Sequence, residues 1–218
     1  FYTEITRTTD NILAINSKVL EPKHYLSLLN EEDHRITVAK KIPLAFTYRG
    51  EFRCRGSYLL KSEHLYFTQN GDYTIYSWDN NRIKPVVTVD FGKYSYNPTQ
   101  LNEEPHAPAT RNKVLSIINV KEIRSNLFFN TNKIGLFVYN KTRHQIVHAY
   151  GITNTNLGIV LHNSIATEDT HNEIVAFSYD MPILQRKLTG IASDNPVIKQ
   201  IQNAKEDDNP LLFLYKSI

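Results

Sequence analysis

Two histidines four residues apart, His144 and His148, have the spacing that first suggests chemistry. On a helix that spacing places both imidazoles on one face, where they could hold zinc. The surrounding run, Gln145-Ile-Val-His-Ala-Tyr150, reads instead as a strand. At ~3.3 Å per residue the two would stand roughly 13 Å apart, too far to share an ion. His24, His34, His64, His106, His162 and His171 are scattered singly and form no ligand pattern. Carboxylates cluster at Glu31-Glu32-Asp33, Glu103-Glu104 and Glu206-Asp207-Asp208. Paired acids do general acid–base work when their surroundings push their pKa values apart. All three clusters fall in expected turns, where acids are ordinarily solvated. Cys54 is the only cysteine, which excludes an internal disulfide and a multi-cysteine zinc cluster. As a nucleophile it would need a base and an electropositive setting; a buried strand position suits it better. The chain contains no nucleophile elbow, phosphate loop, dinucleotide fingerprint or calcium-binding loop. Asn140-Lys-Thr142 matches a glycosylation sequon by pattern alone. Asp90-Phe91-Gly92 has the kinase tripeptide order but no other kinase element beside it, and reads as a strand end before a glycine turn. Trp78 and the tyrosines near it could stack on sugar rings, but alternating strand aromatics usually pack between sheets. No catalytic residue, cofactor or metal ligand is assigned from these residues.

The elements that would position any site are strands. Thr68 to Tyr94 sets the pattern. Asn70-Gly71 is a hairpin turn, since glycine takes the positive φ of the primed turns without steric cost. Tyr73-Thr-Ile-Tyr-Ser-Trp78 suits a pleated, half-buried surface. Asp79-Asn80-Asn81 turns the chain, and Val86-Val-Thr-Val89 follows, with Pro85 predicted at the strand's first position. Similar units lie to either side. Glu4–Thr8, Ile12–Asn16, Tyr25–Leu29 and Arg35–Ala39 precede it, and Arg53–Leu60 and His64–Thr68 lead into it. Val114–Val120, Asn126–Asn130, Ile134–Tyr139 and Gln145–Tyr150 come after. Residues 94–112, with Pro98, Pro105 and Pro108, read as a surface loop. Beyond Gly151 the pattern loosens to Gly158–His162, Glu173–Ser178 and Leu211–Tyr215. One helix is predicted, capped by Asp194 or Asn195, with Pro196 at its first position and Val197, Ile198 and Ile201 on one face.

The chain has 218 residues, which fits one large all-β domain or two small ones. With 25 basic against 22 acidic residues and no long Lys/Arg run, neither a nucleic-acid tail nor a polybasic membrane patch is indicated. No stretch approaches the ~20 apolar residues of a membrane helix. The chain opens on Phe1-Tyr-Thr-Glu-Ile-Thr-Arg7, already strand-like, so a fragment or processed form is expected.

Units of roughly 40 to 50 residues, each of about four short strands, fit the blades of a β-propeller better than a sandwich, which has no such period. The expected blades are 1–44, 45–93, 113–150 and 151–218, either a single domain or the C-terminal part of one.

Tyr73-Thr-Ile-Tyr76 followed by Ile83-Lys-Pro-Val-Val-Thr-Val-Asp-Phe-Gly-Lys-Tyr94 resembles a family of six-bladed, TolB-like β-propeller proteins of Bacteroides. The ending Lys205-Glu-Asp-Asp-Asn-Pro-Leu-Leu-Phe-Leu-Tyr-Lys216 resembles that family's ending. Asp90, Phe91, Gly92, Lys93 and Tyr94, with Asp208, Asn209 and Pro210, carry the likeness as structural motif residues. The resemblance implies a cell-envelope location in periplasm or outer membrane, a lipid anchor on the full-length protein, and about two further N-terminal blades. It implies no catalytic residues. The expected role is therefore a non-catalytic binding module for a protein, peptide or glycan, without nucleic acid. The rival is a hydrolase or lactonase-like enzyme with a metal in the propeller channel.

Overall fold

Within each sheet, strands that follow one another in sequence are neighbours and pair antiparallel. The computed structural model describes residues 2–7, 11–16, 24–30, 35–41, 59–61, 64–69, 72–79, 82–96, 112–133, 135–162, 164–165, 174–205 and 208–216. The first sheet is a meander of β1 (Tyr2–Arg7), β2 (Asn11–Asn16), β3 (His24–Asn30) and β4 (Ile36–Lys41). The second is β5 (Leu59–Lys61), β6 (Leu65–Gln69), β7 (Asp72–Asp79) and β8 (Arg82–Thr88). The third is β9 (Ile117–Ile123), β10 (Asn126–Thr131), β11 (Leu136–Asn140) and β12 (Gln145–Ala149). A hairpin of β13 (Ile152–Asn154) and β14 (Ile159–Leu161) follows. The last sheet has three strands, β15 (Ser164–Ile165), β16 (Ile174–Tyr179) and β17 (Leu211–Lys216). Two short helices, α1 (Met181–Leu188) and α2 (Pro196–Asn203), stand between β16 and β17. The architecture is all-β with two short helices.

Four differences from the sequence reading have physical causes. Pro85 lies inside β8, not at its start, because β8 is the last strand of its sheet and a register shift opposite Ile75 and Tyr76 accommodates the missing N–H. β9 does not end at Val120. It runs on through buried Lys121, Glu122 and Ile123 to a tight turn at Arg124-Ser125, where Arg124 takes φ 54°. Two helices form where one was expected. In α1, Met181, Leu184 and Leu188 are buried at helical spacing, and Pro182 sits in the first turn, where its absent N–H costs nothing. The region after Gly151 forms a hairpin and a three-stranded sheet, not one four-stranded unit. Asn70-Gly71, Asn80-Asn81, Glu31–Asp33, Cys54, most of the 94–112 loop, His34, His106, His171 and Glu206-Asp207 lie outside the described residues.

The third sheet is apolar on both faces and so sits between two cores. Leu127, Phe129 and Tyr139 pack with Tyr66 and Ile75 of the second sheet, with Phe137 against them. The alternate residues Leu136, Phe128 and Val138 join Leu161, Leu184, Leu188, Ile198 and Ile201 on the other side. The period-2 geometry of a strand makes this division, each residue facing opposite its neighbour. The first strands of successive sheets are neighbours, β1 beside β5 and β5 beside β9. Thr68 crosses this seam, its hydroxyl donating to the Ile117 carbonyl at 2.7 Å.

Candidate functional site at the seam of the second and third sheets

Burying a carboxylate is costly unless donors surround it. Glu122, near the end of β9, is fully buried and is surrounded in this way. Its Oε2 accepts from the Tyr66 hydroxyl at 2.9 Å and from His64 Nδ1 at 2.9 Å. Its Oε1 is paired with the Lys141 ammonium. Three elements meet here: β9 brings the carboxylate, β6 and the residue before it bring Tyr66 and His64, and the turn after β11 brings Lys141. The His64 and Lys141 side chains are 47% and 32% exposed, so the cluster runs from a dry carboxylate to a wet rim. On that rim Lys84 donates to Asp79 at 2.5 Å. The Lys84 hydrogen bond, chiefly, holds Asp79 below the usual carboxylate range, and the neighbouring His64 adds to the effect.

With Lys141 on the other oxygen, Glu122 acts as acceptor and His64 Nδ1 carries the proton. A carboxylate orienting an imidazole supplies two of the three members of a hydrolytic triad. The third member, a hydroxyl or thiol on Nε2, is not seen among the described residues. What the arrangement does is tie two sheets together: one buried acceptor gathers His64, Tyr66 and Lys141 from both sides of the seam. Sequence reasoning missed Glu122, Tyr66 and Lys141. The signal was a charged pair, Lys121-Glu122, inside the apolar run from Ile117 to Ile123.

The residues singled out from sequence fall elsewhere. Asp90 closes an Asx turn, accepting from the Gly92 N–H at 2.7 Å. Gly92 takes φ 54° and opens one turn of 3-10 helix through Lys93 and Tyr94. Phe91 meets Tyr73 edge-on at 5.1 Å and Phe137 at 5.6 Å, wedging the connector between the second and third sheets. The Lys93 carbonyl accepts from Lys113 Nζ at 2.7 Å, and the Tyr94 carbonyl from the Val114 N–H at 2.7 Å. The Tyr73 hydroxyl donates to the Val114 carbonyl and accepts from the Tyr96 N–H, each at 2.5 Å. Asp208 accepts from the Lys205 N–H at 2.9 Å, turning the chain from α2 toward β17, and exposed Asn209 and Pro210 follow.

His144 and His148 are not brought together on one ligand. His144 Nδ1 lies 2.9 Å from the Tyr139 hydroxyl, while the His148 ring stacks on Phe137 with centroids 4.4 Å apart. His162 donates from Nδ1 to the Tyr150 carbonyl at 2.8 Å. Trp78 is half-buried in β7. Asn140 is engaged on both ends of its amide, donating to Asn126 at 2.9 Å and accepting from the Arg143 N–H at 2.7 Å. Among the described residues no group of three or more His, Cys, Asp or Glu is placed to hold a metal ion. Nor is any described helix long and apolar enough to cross a membrane.

No family model matches the chain, and no curated protein matches it. Among solved structures it is similar to the crystal structure of a "putative exported protein" from Bacteroides fragilis, with a TM-score of 0.65 and 14% sequence identity. The likeness covers 100% of this chain and 66% of that one, so the present chain spans under two thirds of that protein's length. At this identity the likeness is one of fold.

Proposed function

We propose that this chain is part of an exported, cell-envelope β-propeller of the six-bladed Bacteroides type, and that it serves as a non-catalytic binding module for a protein, peptide or glycan. The observation that carries the non-catalytic reading is Glu122. Its two oxygens are engaged by His64, Tyr66 and Lys141, and the carboxylate is sealed from solvent. A general base must have a lone pair within reach of substrate; Glu122 spends its acceptor capacity on holding sheets together.

The propeller reading is supported by three consecutive four-stranded meanders whose first strands are neighbours, and by the exported protein of similar fold. In that reading the blades are 1–44, 45–93, 113–150 and 151–218. Asp90–Tyr94 is then the connector between two blades, and Asp208-Asn209-Pro210 the turn into the closing strand. The envelope location rests on the name of the Bacteroides fragilis protein.

Elemental analysis of the purified protein, together with titration of calcium and zinc and a panel of ester and lactone substrates, tests the reading. The expected result is no stoichiometric metal and no turnover. One tightly held divalent ion per chain, with metal-dependent hydrolysis, would replace the binder by a channel metalloenzyme.

A further inference from the structure

Exposed strand edges invite pairing with another chain, and proteins guard them with Lys, Pro and bulges. The strands that close the four larger sheets differ in this respect. β4 carries Lys40 and Lys41, and its pairing with β3 shifts register twice. β8 carries Arg82, Lys84 and Pro85 together with a register shift. β17 follows Pro210, exposes Leu212 and Leu214, and has a lysine, Lys216, at its end. β12, Gln145-Ile-Val-His-Ala149, has no proline, lysine, arginine or acid, and its pairing with β11 is regular from end to end. Among the described residues it is the edge of its sheet, and four of its five residues are exposed. Ile146 is 39% exposed, Val147 61%, and Tyr150 just beyond it 63%.

We infer that β12 is a strand-pairing edge for a second copy of this chain, the two β12 strands lying antiparallel about a two-fold axis near Val147. Charge selects this occupant. A two-fold pairing sets each residue against its own kind or a near neighbour, so a charged edge would face like charge; β12 between Gln145 and Ala149 carries none. Centred on Val147, the pairing sets Ile146 against the second copy's His148 and Tyr150 against its His144. Arg143, the nearest cation, falls opposite Gly151. The two Arg143 side chains would stand roughly 26 Å apart along the strand, beyond the reach of charge repulsion at physiological salt. The product is a continuous sheet of twice four strands. This inference goes beyond the proposed function and does not depend on it.

Sedimentation velocity of the full chain from about 1 μM to about 100 μM spans the range of a weak isologous dimer. The wild type is expected to pass from monomer to dimer. Val147→Lys, at an exposed site that leaves the core untouched, is expected to weaken the dimer at least about tenfold by facing two cations across the axis. Amide hydrogen exchange should show protection of 145–149 that grows with concentration in the wild type and not in Val147→Lys. A chain that stays monomeric throughout, or a dimer that Val147→Lys leaves intact, overturns the inference.

Discussion

Replacing Glu122 by alanine removes an acceptor that His64, Tyr66 and Lys141 share. His64 and Lys141 can turn to water because their side chains are partly exposed, whereas the Tyr66 hydroxyl is buried with the site. Losing this cluster is expected to cost about 2–4 kcal/mol of unfolding free energy. Glu122→Gln keeps the shape and an acceptor while deleting the buried charge, and should cost about 1–2 kcal/mol. Lys141→Met does the opposite, removing the Lys141 ammonium from the buried carboxylate, and should cost more than Glu122→Gln. Urea unfolding of the three variants at neutral pH gives the order; a neutral Lys141→Met would mean that the ammonium does not hold the carboxylate. Tyr76 offers a pH test at the same scale. Burial first, then the hydrogen bond to Asp72 at 2.7 Å, push its phenol from 10.0 up to about 12. The folded state therefore keeps a proton that the unfolded chain gives up above pH 10.0. By linkage the contribution is fully present below that pH and is lost as pH rises toward about 12. Burial also raises Tyr73 and Tyr179, so they act in the same direction. Stability measured from pH 9 upward should fall, and Tyr76→Phe should flatten that fall; an unchanged slope would exclude Tyr76 as its source.

At the scale of elements, the start of α2 and the approach to β11 each rest on one residue. Asn195 caps α2, its Oδ1 accepting from the Val197 N–H at 2.9 Å, while its Nδ2 donates to the Asn156 carbonyl in the β13–β14 turn at 3.0 Å. Asn195→Ala should cost about 1–2 kcal/mol and Asn195→Asp, which keeps the cap alone, less than half of that. Gly135 has φ 129°, and a Cβ there would run into the His148 ring and come within 3.1 Å of the Ala149 carbonyl. Gly135→Ala should destabilise by about 1–3 kcal/mol, and adding His148→Ala should restore only part, since the backbone strain remains. These elements also show what the sequence made legible. Asn195-Pro196 is a cap beside a proline, a signal complete within two residues, and α2 was foreseen. The strand pairs of the first three sheets were legible for a similar reason, being local alternation in strands that are neighbours in sequence. The extension of β9 through Lys121 and Glu122 was not, because charges in a strand are tolerated only when donors from elsewhere arrive. His64 and Lys141 lie 58 and 19 residues from Glu122. Proline inside β8 likewise depends on β8 being an edge, a fact of sheet order. The sequence reading assigned no element to α1, which follows directly on the apolar strand β16 and has only three buried positions.

For the whole molecule, the question is whether the two cores on either side of the third sheet melt together. The third sheet contributes one face to each, Phe129 and Leu127 to the core shared with the second sheet, Leu136 and Ile123 to the core around the helices. A β-sheet cannot lose the packing on one face while keeping its register fixed on the other without exposing apolar strand surface. The two cores are therefore expected to unfold as one cooperative unit, despite the change of pattern after Gly151. Leu184→Ala tests this from a distance. Leu184 is fully buried in the helix-side core, and its truncation should cost about 2–5 kcal/mol. Trp78, the only tryptophan, lies in the second sheet. If the cores are coupled through the third sheet, the Trp78 fluorescence transition in urea shifts to lower denaturant together with the far-ultraviolet circular dichroism transition. If Trp78 keeps the wild-type midpoint while the dichroism midpoint moves, the helix-side core unfolds alone. The Glu122 cluster would then mark the boundary of an independent unit made by the second and third sheets.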